Sequence, residues 1–94
     1  MLVRVWEYEV VPGREAEFER LYGSAGAWAR LFSRSAGHVS TELYRAVDRP
    51  RRYVTVDRFS DADSWQRFLS EHGDDYAELD FRCAELTAAE VEIR

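Results

Sequence analysis

The sequence predicts an α+β fold of βαββαβ order, a four-stranded antiparallel sheet with helices on one face. Three observations predict it. A strand pattern runs into Val11-Pro12-Gly13 and then an amphipathic helix; two strand patterns flank the turn Asp48-Arg49-Pro50; a second helical stretch leads to a closing alternation at Ala89, Val91 and Ile93. These elements fill 94 residues without room to spare, so residues 1–94 read as one domain.

Residues 2–11 read as the first strand, with Val3, Val5 and Val11 alternating against Trp6, Tyr8 and Val10. Pro12 lacks an amide donor and Gly13 supplies turn freedom, so the strand ends there. Glu15 to Phe32 carries one apolar stripe at helical spacing, including Phe18, Leu21, Tyr22, Trp28 and Phe32. Gly23-Ser24-Ala25-Gly26 predicts a kink or short break within it. Gly37 opens a strand over roughly His38 to Arg45, and Tyr53 to Phe59 is its partner. Ser60 is the expected N-cap of the second helical stretch, with Asp61 and Asp63 favoured by the dipole in its first turn. Trp65, Phe68, Leu69 and His72 form its stripe until Gly73 breaks it. Asp74 then caps a continuation bearing Tyr76, Leu79, Cys83 and Leu86. The last strand is expected at 88–93, although Thr87-x-x-Glu90 also fits a capping box.

Strand alternation sorts the sheet into two faces. One reads Val3, Val5, Val11, Val39, Leu43, Val54, Val56, Val91 and Ile93, interrupted by Glu7 and Glu9. The other is aromatic and polar: Trp6, Tyr8, Tyr44, Tyr53 and Phe59, with His38, Thr55 and Asp57. Two helical stretches cover only one face of four strands, and neither face reads as a wet one. An uncovered apolar face of this size marks association, so a homodimer packed sheet against sheet is expected.

Composition narrows the function classes. Formal net charge is −5 and no basic run exceeds Arg51-Arg52 with Arg49 nearby, which argues against nucleic acid. The single Cys83 supports neither an internal disulfide nor a thiolate cluster, and the two histidines lack metal-motif spacing. No apolar run approaches the ~18–20 residues of a membrane span, and the first residues turn polar too soon for a signal peptide. A cytoplasmic protein without membrane partners is the expectation.

Several stretches together resemble the antibiotic biosynthesis monooxygenase superfamily, especially its small bacterial members. They are Val-Pro-Gly-x-Glu-x-x-Phe after the first strand, Trp28-Ala29-Arg30-Leu31-Phe32, Gly37 followed by Thr41-Glu42-Leu43, and Arg52 through Ser60. The resemblance spans the chain and implies a ferredoxin-like fold, a dimeric α+β barrel and, as one activity, cofactor-independent oxygenation of aromatic polyketides or quinols. Haem-degrading relatives rely on an Asn in the first strand, a Trp in the second helix and a His soon after. Those positions fall here on about Trp6, on Phe68, and on the His-free stretch Tyr76 to Asp80, so haem degradation is disfavoured.

Oxygenation without a cofactor requires an electron-rich substrate, a base or acceptor that helps form its anion, and a largely dry aromatic pocket. His38 is the candidate base, titrating near neutrality beside Gly37; a strand-end histidine with a satisfied hydrogen bond is the plainer alternative. Asp57 stands mid-strand, where Asp is disfavoured. It can orient His38 or Tyr8, accept a substrate hydroxyl, or pair with Arg4 or Arg58. Tyr76 completes the candidate catalytic set, because a buried phenol needs a partner. Trp6, Tyr8, Trp28, Phe32, Trp65 and Phe68 are the expected substrate-binding residues, with core packing as the competing role. The expected partner is a small aromatic ligand; neither metal nor cofactor is called for. A non-catalytic dimer that binds a small molecule, as an accessory protein of a biosynthetic pathway, is the alternative function.

Overall fold

A computed structural model describes residues 1–94. Its elements are β1 (Leu2–Val10), α1 (Glu15–Tyr22), α2 (Ala27–Phe32), β2 (His38–Arg45), β3 (Arg52–Phe59), α3 (Ala62–Cys83), a 3-10 turn (Ala84–Leu86) and β4 (Thr87–Ile93). All strand pairs are antiparallel, in the order β2-β3-β1-β4. With the helices on one side, this is the expected ferredoxin-like α+β architecture.

The two expected interruptions have distinct outcomes. At Gly23 to Gly26 the helix breaks fully into α1 and α2, and a Cβ on Gly26 would sit 2.3 Å from the Leu21 carbonyl oxygen. At Gly73 the expected break takes the form of a kink. The 22-residue span of α3 is two helical stretches that meet where His72 leaves helical geometry at φ −129°. Ser60 is not the N-cap. Asp61 is, its carboxylate accepting from the Ser64 amide at 2.7 Å. Ser60 instead places its hydroxyl 2.9 Å from that of Ser64. Gly37 lies against the same spot: a Cβ there would meet the Ser64 Cβ at 2.2 Å. Thr87 opens β4 and caps no helix.

Alternation holds along β1 and β3 and fails once in β2. The register against β3 shifts between His38 and Ser40, a bulge that inserts one residue and reverses the parity beyond it. Thr41 and Leu43 consequently face the helices with Asp57 and Thr55, and Tyr44 turns out to the open face, where it is 54% exposed. The sequence assignment of Leu43 and Tyr44 is thus reversed. Val11 lies beyond the end of β1.

Between the sheet and the helices lies an aromatic core. Phe18, Phe59 and Phe68 are fully buried, and Leu86 nearly so. Each such side chain contributes about 1.5–3 kcal/mol through the water it escapes. Phe32 joins the helices to the sheet, its ring 5.7 Å from Phe59 and 5.2 Å from Phe68. Cys83 is buried among these groups as a small hydrophobe.

Candidate functional site

The inner layer is solid at one end and hollow at the other. Trp65 stacks on Phe68 at 5.4 Å and both pack against Phe59, closing the end beneath the first half of α3. Beneath the second half lies a cavity of about 100 Å³, open to solvent on one side. Strand parity brings Arg4, Trp6 and Tyr8 of β1 and Thr55 and Asp57 of β3 to its floor, and the β2 bulge adds Thr41. Tyr22, Trp28 and Phe32 form the helical wall. Tyr76 and Asp80, one helical turn apart on α3, and Glu90 on β4 complete the lining.

Asp57 is the centre of this arrangement. It is 8% exposed, flanked in register by Arg4 on one side and Thr41 on the other. Its Oδ1 is buried without a hydrogen-bond partner. Burial pushes the carboxyl up to about 6, against the partial pull of the Thr41 hydroxyl and the Arg4 charge. An unpaired acceptor in a low-dielectric site carries a full desolvation penalty, so a ligand that donates to it recovers the most free energy.

Around Asp57 the Arg4 guanidinium is committed to a partner, whereas the Trp28 indole N–H is not. The Arg4 guanidinium bonds Glu92 at 3.0 Å and lies 4.2 Å over the Trp65 ring. Tyr8, buried at 8% exposure, has its phenol pushed well above the usual range by burial, with the Thr55 hydroxyl opposing. The Trp28 indole N–H lies beside the Tyr22 hydroxyl and the Cys83 thiol without closing a hydrogen bond to either. The Tyr76 ring meets Trp28 edge-on at 5.4 Å, placing a phenol in the wall.

His38 stands outside the cavity. Its ring packs on Phe59 at 5.4 Å and on Phe32 at 5.9 Å, and its Nε2 is 2.9 Å from the Thr41 hydroxyl. Burial lowers its pKa, opposed by a backbone hydrogen bond at Ser40, so the imidazole is neutral at pH 7. His38 therefore reaches Asp57 only through Thr41. Of the expected residues, Asp57, Tyr76, Trp6, Tyr8, Trp28 and Phe32 converge on the cavity. Trp65 and Phe68 fill the solid end. Arg4, Tyr22, Thr41, Thr55, Asp80 and Glu90 went unassigned as lining. Parity with Asp57 and Trp6 marks Thr55 and Arg4, and the turn spacing from Tyr76 marks Asp80. Nothing in the sequence marks the bulge that turns Thr41 inward.

The sheet is ferredoxin-like, and its helical side encloses an aromatic cavity with one unsatisfied carboxylate. The chain belongs to the antibiotic biosynthesis monooxygenase family, whose profile matches residues 1–79. It is similar to a Bordetella bronchiseptica structure described as a "putative antibiotic biosynthesis monooxygenase". The identity is 28%, the match covers 98% of this chain and 93% of that one, and the TM-score is 0.72. It is also similar to a mutant of SnoaB, a cofactor-independent oxygenase from Streptomyces nogalater, at 26% identity, 98% and 89% coverage and a TM-score of 0.68. A Nitrosomonas europaea structure, 15% identical with a TM-score of 0.71 over 99% and 94% of the two chains, shares the fold. No curated protein matches the sequence. No helix is long and apolar enough to cross a membrane.

Proposed function

We propose that the protein is a cofactor-independent monooxygenase acting on a hydroxylated aromatic small molecule, polyketide-like or quinol, in the cavity beneath α3. The unpartnered Oδ1 of Asp57 among aromatic walls carries this reading. The substrate hydroxyl donates to Asp57, which draws off its proton as the anion forms. The anion passes one electron to dioxygen, leaving an aryloxyl radical and superoxide. These two join in a carbon–oxygen bond to give a peroxide. Loss of water from the peroxide leaves a carbonyl, so one oxygen atom enters the product and the other leaves as water. Thr41 and neutral His38 stand behind Asp57 and hold its carboxyl in place while it hands the substrate's proton to the peroxide anion, so that water, not hydroxide, leaves with the hydrogen of the oxygenated carbon. Tyr76 holds the ring plane against Trp28, and the aromatic walls keep water from the radical pair. The name of SnoaB, a structural relative, supports oxygenation without a cofactor.

The same reading includes a homodimer forming a dimeric α+β barrel. Val3, Val39, Tyr44, Val91 and Ile93 are each about half exposed on the outer sheet face, together an apolar area too large for a wet surface.

Oxygen uptake with a hydroquinone or anthrone tests the activity. Asp57→Asn lowers the rate by about a hundredfold or more, the usual worth of a placed acid–base group. Unchanged uptake in a His38→Ala, Tyr76→Phe double variant overturns those two assignments. One observation favours the non-catalytic alternative: the only histidine near the site lies outside the cavity. Saturable binding of aromatic ligands with no turnover in air selects that reading.

A further inference from the structure

Three carboxylates line the cavity, Asp57 on its floor and Asp80 and Glu90 on α3 and β4, and none forms an ion pair. The one cation in the lining, Arg4, is already matched by Glu92 at 3.0 Å. The site therefore holds a surplus of negative charge against aromatic faces. Burial together with the charge of Asp80 pushes the Glu90 carboxyl up, so the rim is electrostatically unsatisfied. The three carboxylates do not converge as ligands for one metal ion. They are spread over floor and rim, which suits an extended organic cation. Aromatic faces and carboxylates together are the chemistry that recognises ammonium groups. Asp57 makes this more than an acidic patch, because its Oδ1 is buried, unpartnered and part of the same lining.

We infer that the cavity selects a phenol bearing a protonated amine, its hydroxyl donating to Asp57 and its ammonium held at the rim by Asp80 and Glu90. The inference rests on the phenol reading given above and narrows it to cationic substrates. It also sets carboxylated aromatics aside, since their charge would face the same two rim carboxylates.

The test uses four small probes with the intact chain at neutral pH: tyramine, para-ethylphenol, para-hydroxyphenylacetate and phenethylamine. Affinities are read from amide and indole chemical-shift titrations, which also report on Trp6 and Trp28. Tyramine is expected to bind about tenfold more tightly than para-hydroxyphenylacetate, with para-ethylphenol between them. An Asp80→Asn, Glu90→Gln double variant is expected to abolish that ranking. Both positions are exposed, so the variant keeps the fold, as circular dichroism will verify. An acid that binds as tightly as tyramine, or a ranking that survives the double variant, overturns the inference. If para-ethylphenol binds and loses affinity in Asp57→Asn while charge makes no difference, the phenol reading stands and the cation is wrong. If phenethylamine matches tyramine and para-ethylphenol does not bind, the cation stands and the hydroxyl is wrong. Failure of all four to bind overturns both.

Discussion

The two faces of β3 are made from the same eight residues and do opposite work. Tyr53, Thr55, Asp57 and Phe59 point to the helices and are buried, whereas Arg52, Val54, Val56 and Arg58 point away and stay partly open. Inside, every side chain is large or polar and has its own neighbour. Outside, valines repeat, and the flanking charges pair across the sheet, Arg52 with Glu7 and Arg58 with Glu42. In the proposed reading the varied inner face takes a ligand, and the flat aliphatic face, ringed by ion pairs, takes a copy of itself.

The largest effect lies in the inner layer. Phe68 is fully buried against Phe32, Phe59 and Trp65. Phe68→Ala is expected to cost about 3–5 kcal/mol in urea unfolding. A cost below about 1 kcal/mol would mean that the solid end is as loose as the outer face. The outer face responds in another way. Val56→Glu leaves the inner core untouched but sets like charges against each other across a sheet-to-sheet contact. It is expected to weaken self-association by about a hundredfold or more. Sedimentation decides: wild type already at 11.0 kDa at micromolar concentration would remove the contrast between a ligand face and a copy face.

How much of this contrast could be read beforehand depended on distance along the chain. Period-2 alternation exposed β1 and β3, and period-3.6 stripes exposed the helices, because both signals repeat. The β2 bulge is a single inserted residue between His38 and Ser40, and it has no composition of its own, so simple alternation puts Leu43 and Tyr44 on the wrong faces. Ser60 and Asp61 are both good N-caps; Ser60 turns its hydroxyl to that of Ser64, and the Ser64 amide donates to Asp61. Asp57 was legible because an Asp in mid-strand contradicts its propensity. The hollow was not. Trp65 and Tyr76 lie on the two stretches of α3 either side of the His72 kink, and only the packed structure shows that the void lies beneath the second and not the first.

A smaller effect separates the faces by pH. The Asp57 carboxyl moves from 3.8 to about 6 on burial, so the folded state holds a proton that the unfolded state has released. Stability is thus greatest below the lower value and falls as pH rises toward and through the upper one. At neutral pH the buried charge costs about 2–3 kcal/mol. Asp57→Asn removes that loss, so it is expected to raise the melting temperature at pH 7.5 while changing it little at pH 4. The same substitution abolishes oxygenation in the proposed mechanism, a case of stability gained where function is lost. Equal melting temperatures for variant and wild type at both values would place Asp57 in water, and the inner face would lose its distinction.

The outer ion pairs give the finest measure. Glu7 and Arg52 are each about one-third exposed, and an open pair of this kind is worth about 0.5 kcal/mol at most once solvent screens it. Covering the face with a second sheet removes that screening, and the coupling then rises to about 1.5 kcal/mol or more. A double-mutant cycle over Glu7→Gln and Arg52→Gln, run once in wild type and once in Val56→Glu, compares the two conditions on one pair of residues. The coupling is expected to shrink about threefold in the dissociated background. Equal values in both would mean that the pair faces solvent whatever the association state, and the valines, not the charges, would then have to carry the selectivity of the contact.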